Sequence, residues 1–328
     1  MPRAPRRKPQ PKRPSARQKR RIFQRNPLNA IDMVLNDVPT LGELQYRFKT
    51  CNGDPPPPSL ASTFPTVTFS IDRPTLLTAA KDGGILGYYI PSSYFASVIT
   101  PDFIKTLIRL LKDLPPIRKS RVAENMRHRR RIRQSRTYIC SRGYRPADIL
   151  AYSRQYHDDN KQHGKANAFV EHCKPLWEMI GAVYQALWPK AFKDMTHTEI
   201  LPDDVAPLAY PFTALTINTG SPDDPVVSEP HRDVLDAFYG VACLYAFGDY
   251  KGGNLILWEL QKVIELNAGD AFLFPAHLIT HSNTEVIGER HSLVAYTREE
   301  ILKDYIRHRD DRPQGDAQIR TRIAVQKN

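Results

Sequence analysis

HRDVLDAFYGVACLYAFGDYKGGNLILWELQKVIELNAGDAFLFPAHLITHSNTEVIGERHS, residues 231–292, is the stretch on which the reading of this chain turns. It opens with His231 and Asp233, two positions apart, and offers His281 well downstream of them. On an extended backbone alternate side chains share a face, so His231 and Asp233 point the same way. Two imidazoles and one carboxylate are the donor set that holds non-haem Fe(II) and leaves neighbouring coordination positions open. Arg290 and Ser292 are again two apart, with His291 directed oppositely. An arginine fork beside a hydroxyl suits a carboxylate. The spacing therefore predicts Fe(II) held by His231, Asp233 and His281, with 2-oxoglutarate on Arg290 and Ser292 and dioxygen as oxidant. Asn218, closing the run TALTIN, is a further candidate for contact with the co-substrate. Its competing reading is a turn residue before Gly220.

The surroundings suit such a site. From Leu208 onward FTALTIN, VACLYAF, NLILWEL, KVIEL, AFLFP and HSLVAYT are apolar or alternating, and GSPDDP, GDYKGG, NAGD and IGE separate them. That is the rhythm of a sandwich or jelly roll. Four such runs lie between Asp233 and His281, so the third ligand returns from a later strand. His277 also falls in this region, but its place after Phe274-Pro275-Ala276 reads as a turn or rim residue.

Upstream the chain is mixed. The segment containing IDMVLNDVPTLGELQYRF predicts a short helix, and CNGDPPPPS an extended connector, since consecutive prolines fit neither a helix nor a central strand. TVTFSID and LGYYIPSSYF predict strands. PDFIKTLIRLLKDLPP predicts a helix closed by two prolines, and YRPADILAYSRQYHDD another with Pro146 in its first turn. Residues 167–188 predict the strongest amphipathic helix, with Phe169, Leu176, Ile180, Val183 and Leu187 on one face and a break or kink at Pro175.

A hydrophobic fraction of 41% over 328 residues is enough for a substantial core. No apolar run is long enough for a bilayer, and no secretion signal is evident at the start, which predicts a soluble intracellular protein. Cys51, Cys140, Cys173 and Cys243 are scattered, which argues against a disulfide framework or a zinc site. The net charge of +12 is concentrated: residues 1–26 hold eleven arginines and lysines and no acid. A second basic block spans 118–145. Such blocks attract phosphate without regard to sequence, and the first also has the composition of a nuclear-localisation segment.

The expected organisation is a disordered basic tail at 1–26 and a helical or mixed region at 27–207. A jelly-roll core follows at 208–305 and a basic tail at 306–328. The phrases TALTINTG, HRDVLDAFYGVACLYAFGDYKGGNLIL, NAGDAFLFPAHLITHS and GERHSLVAYT resemble the 2-oxoglutarate/Fe(II) dioxygenases of the TET/JBP-like group, especially its fungal members. The resemblance covers about residues 208–298. It implies an α+β fold with a double-stranded β-helix core flanked by N-terminal helices. It implies action on a 5-methylpyrimidine in nucleic acid; with the basic tail, the expectation is a nuclear enzyme that oxidises the methyl group of 5-methylcytosine in methylated DNA, with N6-methyladenine as a further candidate base. For a duplex, the target nucleotide must be flipped out of the stack. Arg290 follows His281 at nine residues, closer than in animal TET and JBP proteins. That short spacing leaves a protein or small-molecule substrate as the alternative. An inactive nucleic-acid-binding jelly roll is the remaining one.

Overall fold

Ile31–Leu35 is a strand (β1), where the sequence predicts a helix. Ile31, Met33 and Leu35 are more buried than Asp32 and Val34, and this two-residue period is that of a strand. The computed structural model describes residues 29–44, 58–127, 132–142, 150–196, 207–238 and 240–301. The two basic tails, residues 51–57 of the proline-rich connector and Pro146 lie outside them. A 3-10 turn at Pro58–Thr63 leads to β2 (Thr66–Val67), β3 (Thr75–Ala79) and β4 (Ile85–Ile90). β4 stops before Pro91, and Ser92–Phe95 is one helical turn where a strand is expected. Proline has no N–H with which to extend a ladder.

Helix α1 (Pro101–Asp113) forms where the sequence places it, with the Thr100 hydroxyl accepting from the Phe103 N–H as its cap. Helix α2 (Lys119–Arg127), β5 (Ser135–Arg142) and β6 (Leu150–Tyr152) follow. The helix expected from Tyr144 begins only at Arg154 (α3, Arg154–Asn160), because Leu150–Tyr152 pairs with β5 and the Ser153 side chain caps α3 at its first residue. Helix α4 (Lys165–Leu187) continues through Pro175 without the expected break, and α5 is Pro189–Thr196. The second half supplies β7 (Ala214–Thr219), β8 (Ala242–Gly252), β9 (Leu255–Leu257), β10 (Lys262–Ile264), β11 (Ala271–Phe274), β12 (His281–Asn283) and β13 (Val286–Tyr296).

These strands form a nine-stranded sheet in the order β1-β3-β4-β11-β8-β13-β7-β5-β6 and a four-stranded sheet in the order β12-β9-β10-β2. Strands from both sides of residue 208 therefore share the large sheet. Alternation along β13 assigns its two faces. Leu293 and Ala295 join the core made with Phe169, Leu176, Trp177 and Ile180 of α4. Val294 and Tyr296 join the core made with Leu255, Leu257 and Ile264 of the small sheet. This is the helix-flanked double-stranded β-helix that the sequence implies, with its site between the sheets.

Part of the arginine-rich block is structural. Arg136 is buried, with Nη1 3.0 Å from Asp159 Oδ2 and Nη2 donating to the Pro115 carbonyl. Tyr138 donates to the same Asp159 oxygen at 2.8 Å. Arg136 thus ties β5 to α3 and is withdrawn from any surface a polyanion meets, contrary to its place in the predicted contact block. Among the described residues no helix is long and apolar enough to cross a membrane.

Candidate metal and co-substrate site

His231 meets His281 through the main chain. The two pair as an antiparallel bridge, His231 N–H donating at 3.0 Å and His281 N–H at 2.8 Å. The third residue is pinned separately, since the Asp233 N–H donates to the Ala276 carbonyl at 3.1 Å. Backbone pairing therefore brings residues fifty positions apart in sequence into one cluster.

The side chains complete it. His231 Nδ1 lies 2.7 Å from the Glu229 carbonyl oxygen, and His281 Nδ1 lies 3.0 Å from that of Ile279. A carbonyl only accepts, so both Nδ1 atoms carry hydrogen, and in the neutral rings Nε2 is the nitrogen that bears the lone pair. These Nε2 atoms face Asp233, at 3.8 Å from Oδ1 for His231 and 3.7 Å from Oδ2 for His281. Such separations fall within what one ion about 2.1 Å from each donor can bridge. The three residues are a group that could hold a metal ion, and their donor set suits non-haem iron. Phe274, with its ring centroid 5.0 Å from that of His281, walls one side.

A cavity of about 70 Å³ joins this cluster to Arg290, Ser292 and Asn218. The register of β13 with β7 sets Ser292 opposite Asn218, and the Asn218 Nδ2 donates to Ser292 Oγ at 3.1 Å. Ser292 thereby keeps its own O–H for a ligand. Arg290 is 2% exposed. It is in no ion pair among the described residues, and its Nε has no partner. Burial draws its pKa below the ordinary arginine value, while Tyr250 works the other way. A buried cation without an anion is costly, and a ligand carboxylate would meet that need. Gly253 makes the room: a Cβ there would stand 2.7 Å from Arg290 Cδ, and its φ of +68° favours glycine.

Four further residues complete the comparison with the sequence. His291 faces away from the cavity, against Phe247 and 3.1 Å from Glu289 Oε1. His277 is not one of the metal cluster's donors; it lies against the Asp233 backbone and lines a small cleft with Asp236 and Thr297. Asn283 and Ile132 also line the site cavity, and the sequence reading missed both. Asn283 accepts from the Ser228 N–H and donates to the Val226 carbonyl, which fastens the loop entering His231. Its nearness to His281 in sequence was the one signal for it. Ile132 has none, since its proximity depends on the pairing of β5 with β7.

A β-helix whose cavity is lined by this donor set and by a buried arginine without an ion pair among the described residues defines a class, the non-haem iron oxygenases that consume 2-oxoglutarate. Residues 151–299 match the family model Tet_JBP, the oxygenase domain of the 2OGFeDO superfamily. The chain carries a Tet_JBP oxygenase domain and is a 2-oxoglutarate/Fe(II)-dependent dioxygenase. No curated protein matches its sequence. Among solved structures, NgTET1 in complex with 5mC DNA is similar in fold, with a TM-score of 0.52 at 14% identity over 79% of this chain and 88% of that one. An oxidoreductase of the 2OG-Fe(II) oxygenase family from Burkholderia pseudomallei aligns at 10% identity over 81% of this chain and 93% of that one, with a TM-score of 0.36.

Proposed function

We propose that this dioxygenase oxidises the methyl group of 5-methylcytosine in DNA. In this reading His231, Asp233 and His281 hold Fe(II), while Arg290, Ser292 and Asn218 hold 2-oxoglutarate. The bound iron supplies the oxidising chemistry, with 2-oxoglutarate decarboxylated to succinate. The chain's own residues do the positioning. Both Nδ1–H groups stay fixed on main-chain carbonyls, the Ser292 hydroxyl donates, and Arg290 neutralises the distal carboxylate.

The observation that carries the substrate reading is the place of the arginine-rich segment. Ile132 lines the cavity, and the next residue, Arg133, is exposed beside it and 3.9 Å from Asp224. A cation at that margin favours a phosphate-bearing substrate over a neutral small molecule. The Tet_JBP match and the likeness to a structure solved with 5mC DNA support the same reading. The basic run at 1–26 supports nuclear action on DNA. The short interval from His281 to Arg290 favours a second reading, oxidation of a small molecule or protein side chain.

Mass spectrometry of nucleosides tests the proposal, after incubating methylated duplex with protein, Fe(II) and 2-oxoglutarate. Oxidised 5-methylcytosine is expected. A loss of N6-methyladenine instead would move the assignment to that base. Succinate release with no changed base would exclude DNA as the substrate.

A further inference from the structure

Arg290 lies at the inner end of the cavity, and what stands behind it is aromatic. Its guanidinium carbon is 5.4 Å from the centroid of the Tyr250 ring. Tyr250 does not line the cavity. Two features fix the ring. The β8–β13 register sets Tyr250 opposite Gly288 and Arg290 opposite Gly248, so the pair meets diagonally across two residues without side chains. The phenol oxygen donates to the Leu266 carbonyl at 3.2 Å, anchoring the ring to the loop after β10.

The geometry points to Tyr250 as a positioning residue that makes this chain select a 2-oxo diacid over a 2-oxo monoacid. An acid behind Arg290 would neutralise the guanidinium and compete with the ligand. An aliphatic residue would leave a buried cation with neither solvent nor counter-charge. The face of an aromatic ring attracts the cation, and the Tyr250 oxygen also accepts a hydrogen bond from the guanidinium. Arg290 is therefore steadied in its charged form by a neutral partner, and its remaining N–H donors stay available to a carboxylate. Gly253 serves the same arrangement from the side, since its missing Cβ leaves space for Arg290 Cδ and Nε. This inference rests on the reading of Arg290 as the co-substrate clamp.

Calorimetric titration of the Mn(II)-loaded full chain tests it without turnover, using 2-oxoglutarate and 2-oxovalerate, which share the 2-oxo acid end and differ in the distal carboxylate. The wild type should prefer the diacid. Tyr250→Phe keeps the ring but loses the hydroxyl contact and should weaken 2-oxoglutarate by no more than about fivefold, whereas Tyr250→Leu should weaken it about tenfold or more, and both should leave 2-oxovalerate unchanged. Equal weakening of both ligands by Tyr250→Leu, or of neither, overturns the inference. If Tyr250→Leu does not fold, phenylalanine and pentafluorophenylalanine at position 250 replace it as a pair of the same shape. The fluorinated ring reverses the sign of the face presented to Arg290 and should weaken only the diacid; identical affinities overturn the inference. Arg290→Leu separates the two levels. If it abolishes the diacid preference while the ring variants do not, Tyr250 is excluded and the clamp stands. If Arg290→Leu retains the preference, the clamp itself is wrong and the inference falls with it.

Discussion

His231 and His281 donate their backbone N–H groups to each other's carbonyls, at 3.0 and 2.8 Å. Two of the three candidate ligands are thus joined by the main chain, independently of what their rings hold. His231→Ala and His281→Ala should accordingly leave the metal-free melting temperature within a few degrees of wild type. Fe(II) binding followed by calorimetry should fall below detection in both. Full metal affinity in either variant would refute the ligand assignment.

Arg290 should trade stability against function. Removing an unpaired buried cation relieves a desolvation cost, so Arg290→Met is expected to raise the melting temperature. The same variant should weaken 2-oxoglutarate by more than about tenfold, the effect of losing a charge-assisted bond. A variant that melts lower than wild type would mean that Arg290 holds the fold together.

Asn218 is expected to act through Ser292. Asn218→Ala leaves the Ser292 hydroxyl free to rotate, and the loss of about 1 kcal/mol should appear as roughly fivefold weaker 2-oxoglutarate binding. Asn218→Asp cannot donate to Ser292 while ionised and should fare no better. Unchanged affinity in both variants would reduce Asn218 to a strand residue.

Asp159 should matter for stability alone. With its partner Arg136 buried beneath α3, Asp159→Ala strands a cation and is predicted to cost about 3–5 kcal/mol in chemical denaturation. Arg133→Gln, at an exposed and loose pair, should cost less than about 1 kcal/mol. A salt-dependent loss of DNA affinity is expected from the second variant and not from the first.

His291 sets a pH dependence. Burial lowers its pKa below the ordinary histidine value, with Glu289 opposing, so the unfolded chain takes up this proton more readily than the folded one. Stability then rises with pH across the interval below about 6.5, and it is lost as the pH falls through that interval. His277, also lowered by burial, acts in the same direction. Thermal melts between pH 5 and 7.5 should show the slope, and His291→Gln should flatten part of it.

The site was more legible in the sequence than the frame around it. His231, Asp233, His281, Arg290 and Ser292 could be placed because strand parity fixes which neighbours share a face, and β13 obeys it. β1 was misread because its parallel partner β3 lies some forty residues away, and local periodicity is silent about such pairing. The helix beginning at Arg154 was overextended because Leu150–Tyr152 is held by β5, a tertiary contact that overrides propensity. The relation of Tyr250 to Arg290 is not legible in the sequence because it depends on the β8–β13 register rather than on any spacing.

The order of the large sheet has a consequence for how the chain is made. The β3–β4 hairpin is synthesised early, yet β4 takes its other neighbour from β11, and β5 waits similarly for β7. A fragment cut to residues 151–299 would leave both β11 and β7 with a bare edge, an invitation to intermolecular pairing. On the ribosome, β4 keeps one open edge until β11 has emerged, and β5 keeps one until β7 has. A chaperone that shields open sheet edges during this delay should raise the yield of active protein more than one that acts after release.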